Sequence, residues 1–141
     1  MLKNVPPVIS PELMKVMMEM GHGDALVLGD ANFPAASNAR RLVRADGHSA
    51  CTLLEAVMQF FPLDTYTDEP AVVMAVVPGD DVETPIWDDY ASILTEAEDR
   101  PVGLTEVPRH EFYELAREAY AVVATGETAP YANLLLVKGV V

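Results

Sequence analysis

The sequence predicts a single three-layer α/β domain with a mostly parallel sheet. Short apolar runs bounded by turn residues alternate with segments whose apolar residues recur at helical spacing, and this alternation is typical of such a fold. At 141 residues, half of them hydrophobic, the chain has the size and the apolar content for one packed core. No repeat, linker or low-complexity segment divides residues 1–141, so we expect one domain.

The first helix and the first strand have clear signals. Ser10 can cap a helix, Pro11 suits its first position, and apolar residues then follow three and four apart as far as Met20. We expect Gly21 to end this helix in a left-handed conformation. The continuous apolar run at 25–28 predicts a strand that is covered on both faces.

The remaining elements follow in alternation. A short strand is expected at 42–43, a helix over 50–61 and a buried strand over 71–77, which Pro78 and Gly79 end. Further helices are expected after Pro85 and over 112–120. The last strand candidates are a weak one at 102–107 and two clear ones, 121–124 and 133–137.

The strongly acidic composition limits the kinds of partner. With 22 acidic and 9 basic residues the net charge is −13, and this field repels nucleic acid and anionic membrane surfaces. A neutral small molecule is compatible with it. The N-terminus lacks the apolar segment of a signal peptide, and no apolar run approaches the roughly 18 residues of a membrane span. A cytoplasmic protein is expected.

Several kinds of chemistry are disfavoured. Cys51 is the only cysteine, and its helical context suggests a small hydrophobic residue rather than a nucleophile. Three histidines and one cysteine make a zinc site improbable, so we expect no metal. The sequence has no phosphate-binding, dinucleotide-binding or serine-hydrolase motif.

Polar residues at two turns are the first candidate functional groups. His22 lies between Gly21 and Gly23, where a ligand could approach an uncrowded imidazole, a side chain suited to proton transfer. Asp30 follows the first strand, at the sheet edge where α/β proteins bind ligands. The plainer alternatives are a surface histidine in a helix–strand turn and a turn aspartate bonded to its own backbone.

Two later segments add hydrogen-bonding groups. Tyr131 and Asn133 are two residues apart in a turn-rich segment, and in an extended chain they would project to the same side. Arg109 opens the predicted helix near Pro108 and can donate hydrogen bonds. A polyhydroxyl ligand needs such groups, although a purely structural turn explains the 125–133 segment equally well.

Short segments along nearly the whole chain resemble the L-fucose mutarotase and ribose pyranase family. The matching segments, in order, are 9–13, 20–24, 30–35, 44–47, 109–114, 125–133 and 138–140. Arg44-Ala45-Asp46-Gly47 and the stretch beginning at Arg109 are similar to the fucose branch.

The resemblance implies a cofactor-free isomerase with specific residue roles. His22 would be the catalytic proton donor, while Asp30, Arg109, Tyr131, Ala132 and Asn133 would bind the monosaccharide. It also implies a ring-shaped homo-oligomer, commonly a decamer of two stacked pentamers, with sites at subunit boundaries.

Several alternatives remain open. The second proton-transfer group could be Tyr131, Asp30 or a bound water. The chain could act on another aldose such as D-ribose, serve as a non-catalytic sugar-binding regulatory module, or be an oligomer without a small ligand. His22 favours an enzyme, since a protein that only binds sugar needs no titrating group there.

Overall fold

Six strands form one mixed sheet in the computed structural model, which describes residues 1–141. The strands are β1 (Ala25–Gly29), β2 (Leu42–Ala45), β3 (Ala71–Met74), β4 (Thr105–Val107), β5 (Ala121–Thr125) and β6 (Leu134–Val137). Their order across the sheet is β2-β5-β1-β6-β3-β4. Five strands are parallel, and β6 runs antiparallel to its neighbours β1 and β3.

The antiparallel strand lies inside the sheet rather than at its edge. Leu135 at the centre of β6 is opposite Val27 of β1 on one side and Val72 of β3 on the other. Because β6 runs the other way, its first residues lie beside the carboxyl ends of β1 and β3. The loops that follow β1 and β3 therefore meet the segment that precedes β6 at that edge of the sheet.

Five helices cover the sheet. They are α1 (Pro11–Glu19), α2 (Ala35–Asn38), α3 (Ala50–Val57), α4 (Pro85–Glu98) and α5 (Arg109–Glu118). Helix α3 and strand β3 end earlier than the apolar pattern predicts, at Val57 and Met74. After α3 the buried side chains of Met58 and Phe61 continue the hydrophobic pattern beyond the regular backbone, whereas after β3 the apolar residues are only half-buried and Val77 is exposed.

Alternate residues of β1, β3, β5 and β6 point to two separate hydrophobic cores. Leu26 and Leu28 belong to a core formed with α1, α3 and α4, whereas Val27 belongs to a second core formed with α2 and α5. All three side chains are fully buried. Burial of one such side chain stabilises the fold by about 1.5–3 kcal/mol. The helices therefore cover both faces of the sheet, as the sequence predicts.

The start of α1 agrees with the prediction, but its end does not. The Ser10 hydroxyl accepts a hydrogen bond of 3.0 Å from the Leu13 N–H, and Pro11 occupies the first helical position. Helix α1 ends at Glu19, and Met20 is extended (φ −68°, ψ 137°). The positive φ of this turn is at Gly23 (86°), not at Gly21. The chain leaves the helix through Met20 and reverses two residues later than predicted.

None of the helices combines the length and the hydropathy that a bilayer crossing requires.

Candidate functional site

A cavity of about 280 Å³ lies at the carboxyl ends of β1, β3 and β4, beside the first residues of β6. Its lining residues are Asp30, Asn32, Phe33, Met74, Val77, Arg109, Tyr113, Pro130, Tyr131 and Asn133. Carboxyl ends of parallel strands are the usual ligand-binding edge of an open α/β sheet. The fold thus brings four of the predicted site residues, Asp30, Arg109, Tyr131 and Asn133, to one cavity.

Asp30 is a nearly buried carboxylate in the wall of this cavity, with 8% of the residue exposed. Burial raises its pKa, and a nearby carboxylate, Glu127, raises it further. The backbone N–H groups of Asn32, Ala132 and Phe33 oppose the rise, and that of Asn32 makes a 2.9 Å hydrogen bond to Oδ1. A buried carboxylate without a cationic partner is a strong acceptor for ligand hydroxyls.

Asn133 connects the two sides of the cavity. Its Oδ1 accepts a 2.8 Å hydrogen bond from the Asp30 backbone N–H across the β1–β6 boundary. The residue is 2% exposed, and its Nδ2 group makes no hydrogen bond within the chain. Because Asn133 lines the cavity, that amide can donate to a ligand.

Arg109 supplies the positive charge of the cavity. It is the first residue of α5 and lies one turn before Tyr113, with its guanidinium carbon 5.3 Å from the centre of the Tyr113 ring. Tyr113 in turn packs edge-to-face on Phe33, with 5.5 Å between ring centres. Arg109 has no salt bridge or hydrogen bond within the chain, so its donors remain available to a ligand.

Tyr131 has an unusual backbone conformation. Its φ is 53°, in the left-handed region that bulky residues seldom adopt, so the segment is not extended as predicted. Its side chain therefore reaches the cavity through a turn, and not by alternation with Asn133. The Tyr131 carbonyl accepts a 2.8 Å hydrogen bond from Trp87 Nε1, which holds this turn on α4.

Ala132 is fully buried and does not present its side chain to solvent. Its carbonyl accepts a 2.7 Å hydrogen bond from the Tyr90 hydroxyl. The Ala132 N–H is directed to the Asp30 carboxylate, so both polar backbone groups of Ala132 have partners within the chain, and Ala132 is not among the residues that line the cavity.

His22 lies away from this cavity, at the opposite edge of the sheet. It precedes β1, whereas Asp30 follows β1. The Gly23 N–H donates to the Lys138 carbonyl, at 2.8 Å, and the Asp64 N–H donates to the Val137 carbonyl, at 2.9 Å. The end of β6 therefore holds the His22 turn on one side and the Asp64 segment on the other.

The imidazole of His22 is paired with a carboxylate. Nε2 lies 3.0 Å from Asp64 Oδ1, the His22 side chain is 44% exposed, and the Asp64 side chain is 5% exposed. Burial alone would raise the Asp64 pKa, but the backbone N–H groups of Tyr66 and Thr67 and the imidazole together lower it. Asp64 is thus an acceptor that orients the ring through Nε2, while the imidazole stays partly exposed.

Tyr113, Asp64 and Asp80 contact the predicted site residues, although none of the three was predicted to belong to a site. Tyr113 could have been found, because it lies four residues after Arg109 and hence on the same face of a helix. Asp64 and Asp80 had no such signal. Asp64 meets His22 across 42 residues of chain, and Asp80 contacts Tyr131 across 51.

Other features of the chain are less suited to chemistry. Burial raises the pKa of the Cys51 thiol to about 11, which keeps it protonated at neutral pH. No three histidine, cysteine, aspartate or glutamate side chains converge closely enough to hold a metal ion. A larger cavity of about 810 Å³, between residues 1–11 and α1, contains none of the predicted site residues.

Comparison with known proteins gives matches over the full chain. The profile of the RbsD / FucU transport protein family matches residues 3–141. Human fucose mutarotase is 51% identical, with 99% of this chain and 94% of that protein covered. The structure of FucU from Bifidobacterium longum has a TM-score of 0.95 and 52% identity. The structure of the fucose mutarotase from Streptococcus pneumoniae in complex with L-fucose has a TM-score of 0.94 and 47% identity. Both structural matches cover 99% of each chain.

Proposed function

This chain is a member of the RbsD / FucU family, and on that premise we propose that it is a mutarotase that interconverts the α and β anomers of L-fucose. One observation carries the proposal. A cavity of about 280 Å³ is surrounded by a carboxylate, a guanidinium, a free amide and a phenol. Relatives about 50% identical over the full chain are fucose mutarotases, and one was solved with L-fucose.

The groups around the cavity match the hydrogen-bonding capacity of a neutral sugar. Asp30 accepts from sugar hydroxyls, while Arg109 and the Nδ2 group of Asn133 donate to them. Phe33 and Tyr113, which line the cavity, provide an apolar wall for the C–H groups of the sugar ring. Ala132 would support the sugar indirectly, because its backbone N–H holds the Asp30 carboxylate.

The reaction needs only proton transfers. A base removes the proton of the anomeric hydroxyl while an acid protonates the ring oxygen, and the bond between the anomeric carbon and the ring oxygen breaks. The open-chain aldehyde rotates, and reversal of the same steps closes the ring on the other face. In the proposal His22, oriented by Asp64, is the acid, and general acid–base catalysis contributes roughly 10²–10⁴-fold. No redox or metal chemistry is required.

A second subunit would complete the site. Within one chain His22 and the cavity are at opposite edges of the sheet, so one sugar cannot contact both. We propose that the His22–Asp64 pair of one subunit faces the cavity of another in a ring-shaped homo-oligomer. A decamer of two stacked pentamers is the assembly expected for it.

Of the three candidates for the second proton-transfer group, Tyr131 is less suitable than Asp30 or a bound water. The single proton of the Tyr131 hydroxyl is donated to Asp80 Oδ2, at 2.5 Å. This hydrogen bond raises the Tyr131 pKa, so that the phenolate is a poor candidate for a base near neutral pH. Asp30 or a water molecule bound between Asp30 and the sugar is the better candidate.

We propose the cytoplasm as the place of action. The chain has one cysteine and therefore no internal disulfide, and such usage suits a reducing compartment. Cell fractionation with an antibody against the native protein tests this location, and recovery in a membrane or secreted fraction would contradict it.

Saturation-transfer NMR of anomeric protons tests the activity directly. We expect faster α/β exchange on L-fucose with the protein than without it, and smaller effects on D-ribose and D-galactose. His22→Ala should lose the acceleration, whereas His48→Ala, a change at an exposed turn histidine, should keep it. Acceleration on D-ribose alone would move the assignment to another aldose. Fucose binding without acceleration on any sugar would indicate a binding module.

A further inference from the structure

The loop between β3 and α4, residues 75–84, contacts the cavity at one point. It contains neither helix nor strand, and it reverses at Pro78 and Gly79, where Gly79 has a φ of 90°. Two of its residues reach the hydroxyl of Tyr131. The Val77 backbone N–H donates to that oxygen at 3.3 Å, and Asp80 Oδ2 accepts from it at 2.5 Å.

These two contacts determine what the Tyr131 hydroxyl can do for a ligand. A phenol has one proton and two lone pairs. The proton is directed to Asp80, and one lone pair accepts from Val77, so one lone pair remains. In this arrangement the Tyr131 oxygen can accept a hydrogen bond from a sugar hydroxyl and has no proton to donate.

The same loop also restrains a residue whose backbone is strained. Tyr131 has a φ of 53°, and its carbonyl is held by Trp87 on the helix that the loop leads into. A positive φ in a bulky residue persists only where surrounding contacts enforce it. With Asp80 at the ring end and Trp87 at the backbone, the side chain is held at both ends.

We propose that Asp80 is a positioning residue for the sugar site: it orients the Tyr131 hydroxyl so that its free lone pair faces the cavity and accepts from a substrate hydroxyl. The inference rests on the proposed function and assigns the 75–84 loop a role in substrate binding. Asp80 itself does not line the cavity, so its effect is transmitted entirely through Tyr131.

A double-mutant cycle with a matched control tests this role. Asp80→Ala should weaken L-fucose binding about five- to tenfold while exchange at saturating sugar stays within about twofold. Asp80→Asn keeps an acceptor oxygen for the tyrosine proton and should restore binding to within about twofold. Asp81→Ala removes the neighbouring exposed carboxylate, which makes no contact with Tyr131, and should have no effect.

The cycle uses Tyr131→Phe as the second change. If Asp80 acts through the hydroxyl, Asp80→Ala should add nothing in the Tyr131→Phe background. Additive losses would show that Asp80 acts by another route and would overturn the proposal. Ultraviolet titration of the tyrosines gives a readout apart from activity. In Asp80→Asn one tyrosine should ionise at lower pH than in the unaltered protein, and this change should be absent with Tyr131→Phe.

The outcomes separate this inference from the proposed function. If the unaltered protein accelerates exchange and Asp80→Ala binds L-fucose equally well, only the role of Asp80 is wrong. If the unaltered protein neither accelerates exchange nor binds L-fucose, the proposed function fails and the inference fails with it. If it binds L-fucose without accelerating exchange, the cycle still decides the role of Asp80 through binding alone.

Discussion

His22 and Asp30 lie at opposite ends of strand β1, which occupies Ala25–Gly29 between them. Five residues of strand span roughly 16 Å, which is much longer than a pyranose ring. The imidazole, paired with Asp64, is at the edge of the sheet where β6 ends, and the Asp30 carboxylate is at the edge where β6 begins. One chain therefore carries two halves of the proposed site that cannot meet on one sugar.

This separation predicts that two inactive variants complement each other. His22→Ala and Asp30→Asn should each be inactive alone. In a 1:1 mixture assembled by co-expression, a site is intact when its imidazole comes from the Asp30→Asn chain and its cavity from the His22→Ala chain. Random assembly gives that combination at about a quarter of the sites, so about a quarter of full activity is expected.

Two controls make the complementation decisive. Mixing the two purified variants without subunit exchange should give no activity. The double variant His22→Ala, Asp30→Asn, co-expressed with the unaltered chain, should also leave about a quarter of the sites intact. If the site were formed within one chain, the first mixture would be inactive and the second would keep about half of the activity.

Replacement of Asp30 should abolish L-fucose binding but raise the thermal stability of the protein. The folded protein raises the Asp30 pKa, so the folded state binds its proton more tightly than the unfolded state does. The resulting penalty is absent at low pH and is fully present once the pH exceeds the raised folded pKa. Asp30→Asn removes this buried charge, and we expect Tm at pH 7 to rise by about 2–5 °C while L-fucose binding is lost.

Calorimetry at several pH values checks the sign of that effect. The gain in Tm should shrink as the pH falls through the raised pKa of Asp30, because the unaltered carboxyl then becomes protonated in the folded state. Asp68→Asn, at an exposed position, should leave Tm unchanged. A lower Tm for Asp30→Asn at pH 7 would show that the hydrogen bonds to the carboxylate outweigh its burial.

The effect of replacing Asp64 on stability should have the opposite dependence on pH. Its pKa is lowered in the folded protein, so its contribution to stability is present above the unfolded value and is lost as the pH falls through the folded value. We expect Asp64→Asn to lower the urea midpoint at pH 7 and 6, and the difference from the unaltered protein to shrink as the pH falls through the folded pKa of Asp64. The same variant should slow fucose exchange about tenfold, since the amide oxygen is an uncharged and weaker acceptor for the His22 ring. Equal urea midpoints at pH 7 would contradict the assigned role.

Most of the architecture could be predicted from the sequence because local signals there agree with the tertiary structure. The apolar run at 25–28 indicates a buried strand, and Ser10 with Pro11 indicates a helix start, and both are present. The direction of β6 could not be predicted. An apolar strand reads the same in either direction, and only its pairing between β1 and β3 decides it.

The candidate site, like the sheet, could be predicted from the sequence only in part. Asp30 and Arg109 follow strands, so their meeting at one edge of the sheet is a consequence of the parallel topology. The contacts of Asp64 with His22 and of Asp80 with Tyr131 join segments that are 42 and 51 residues apart. No periodicity links such residues, and the positive φ of Tyr131 carries no sequence signal, because glycine or asparagine would be expected there.

Arg109 should govern the choice of sugar. Its guanidinium lines the cavity beside the Tyr113 ring and has no partner in the chain, so a ligand can engage its planar donors in pairs. We expect Arg109→Lys to retain the charge but lose the paired geometry, weakening L-fucose binding about tenfold.

Arg109→His should lower the rate on L-fucose more than the rate on D-ribose, shifting preference away from fucose. Exchange rates on both sugars measure the shift, with Arg40→His, at an exposed arginine outside the cavity, as the control. An unchanged ratio of the two rates would show that Arg109 binds a part of the sugar that fucose and ribose share.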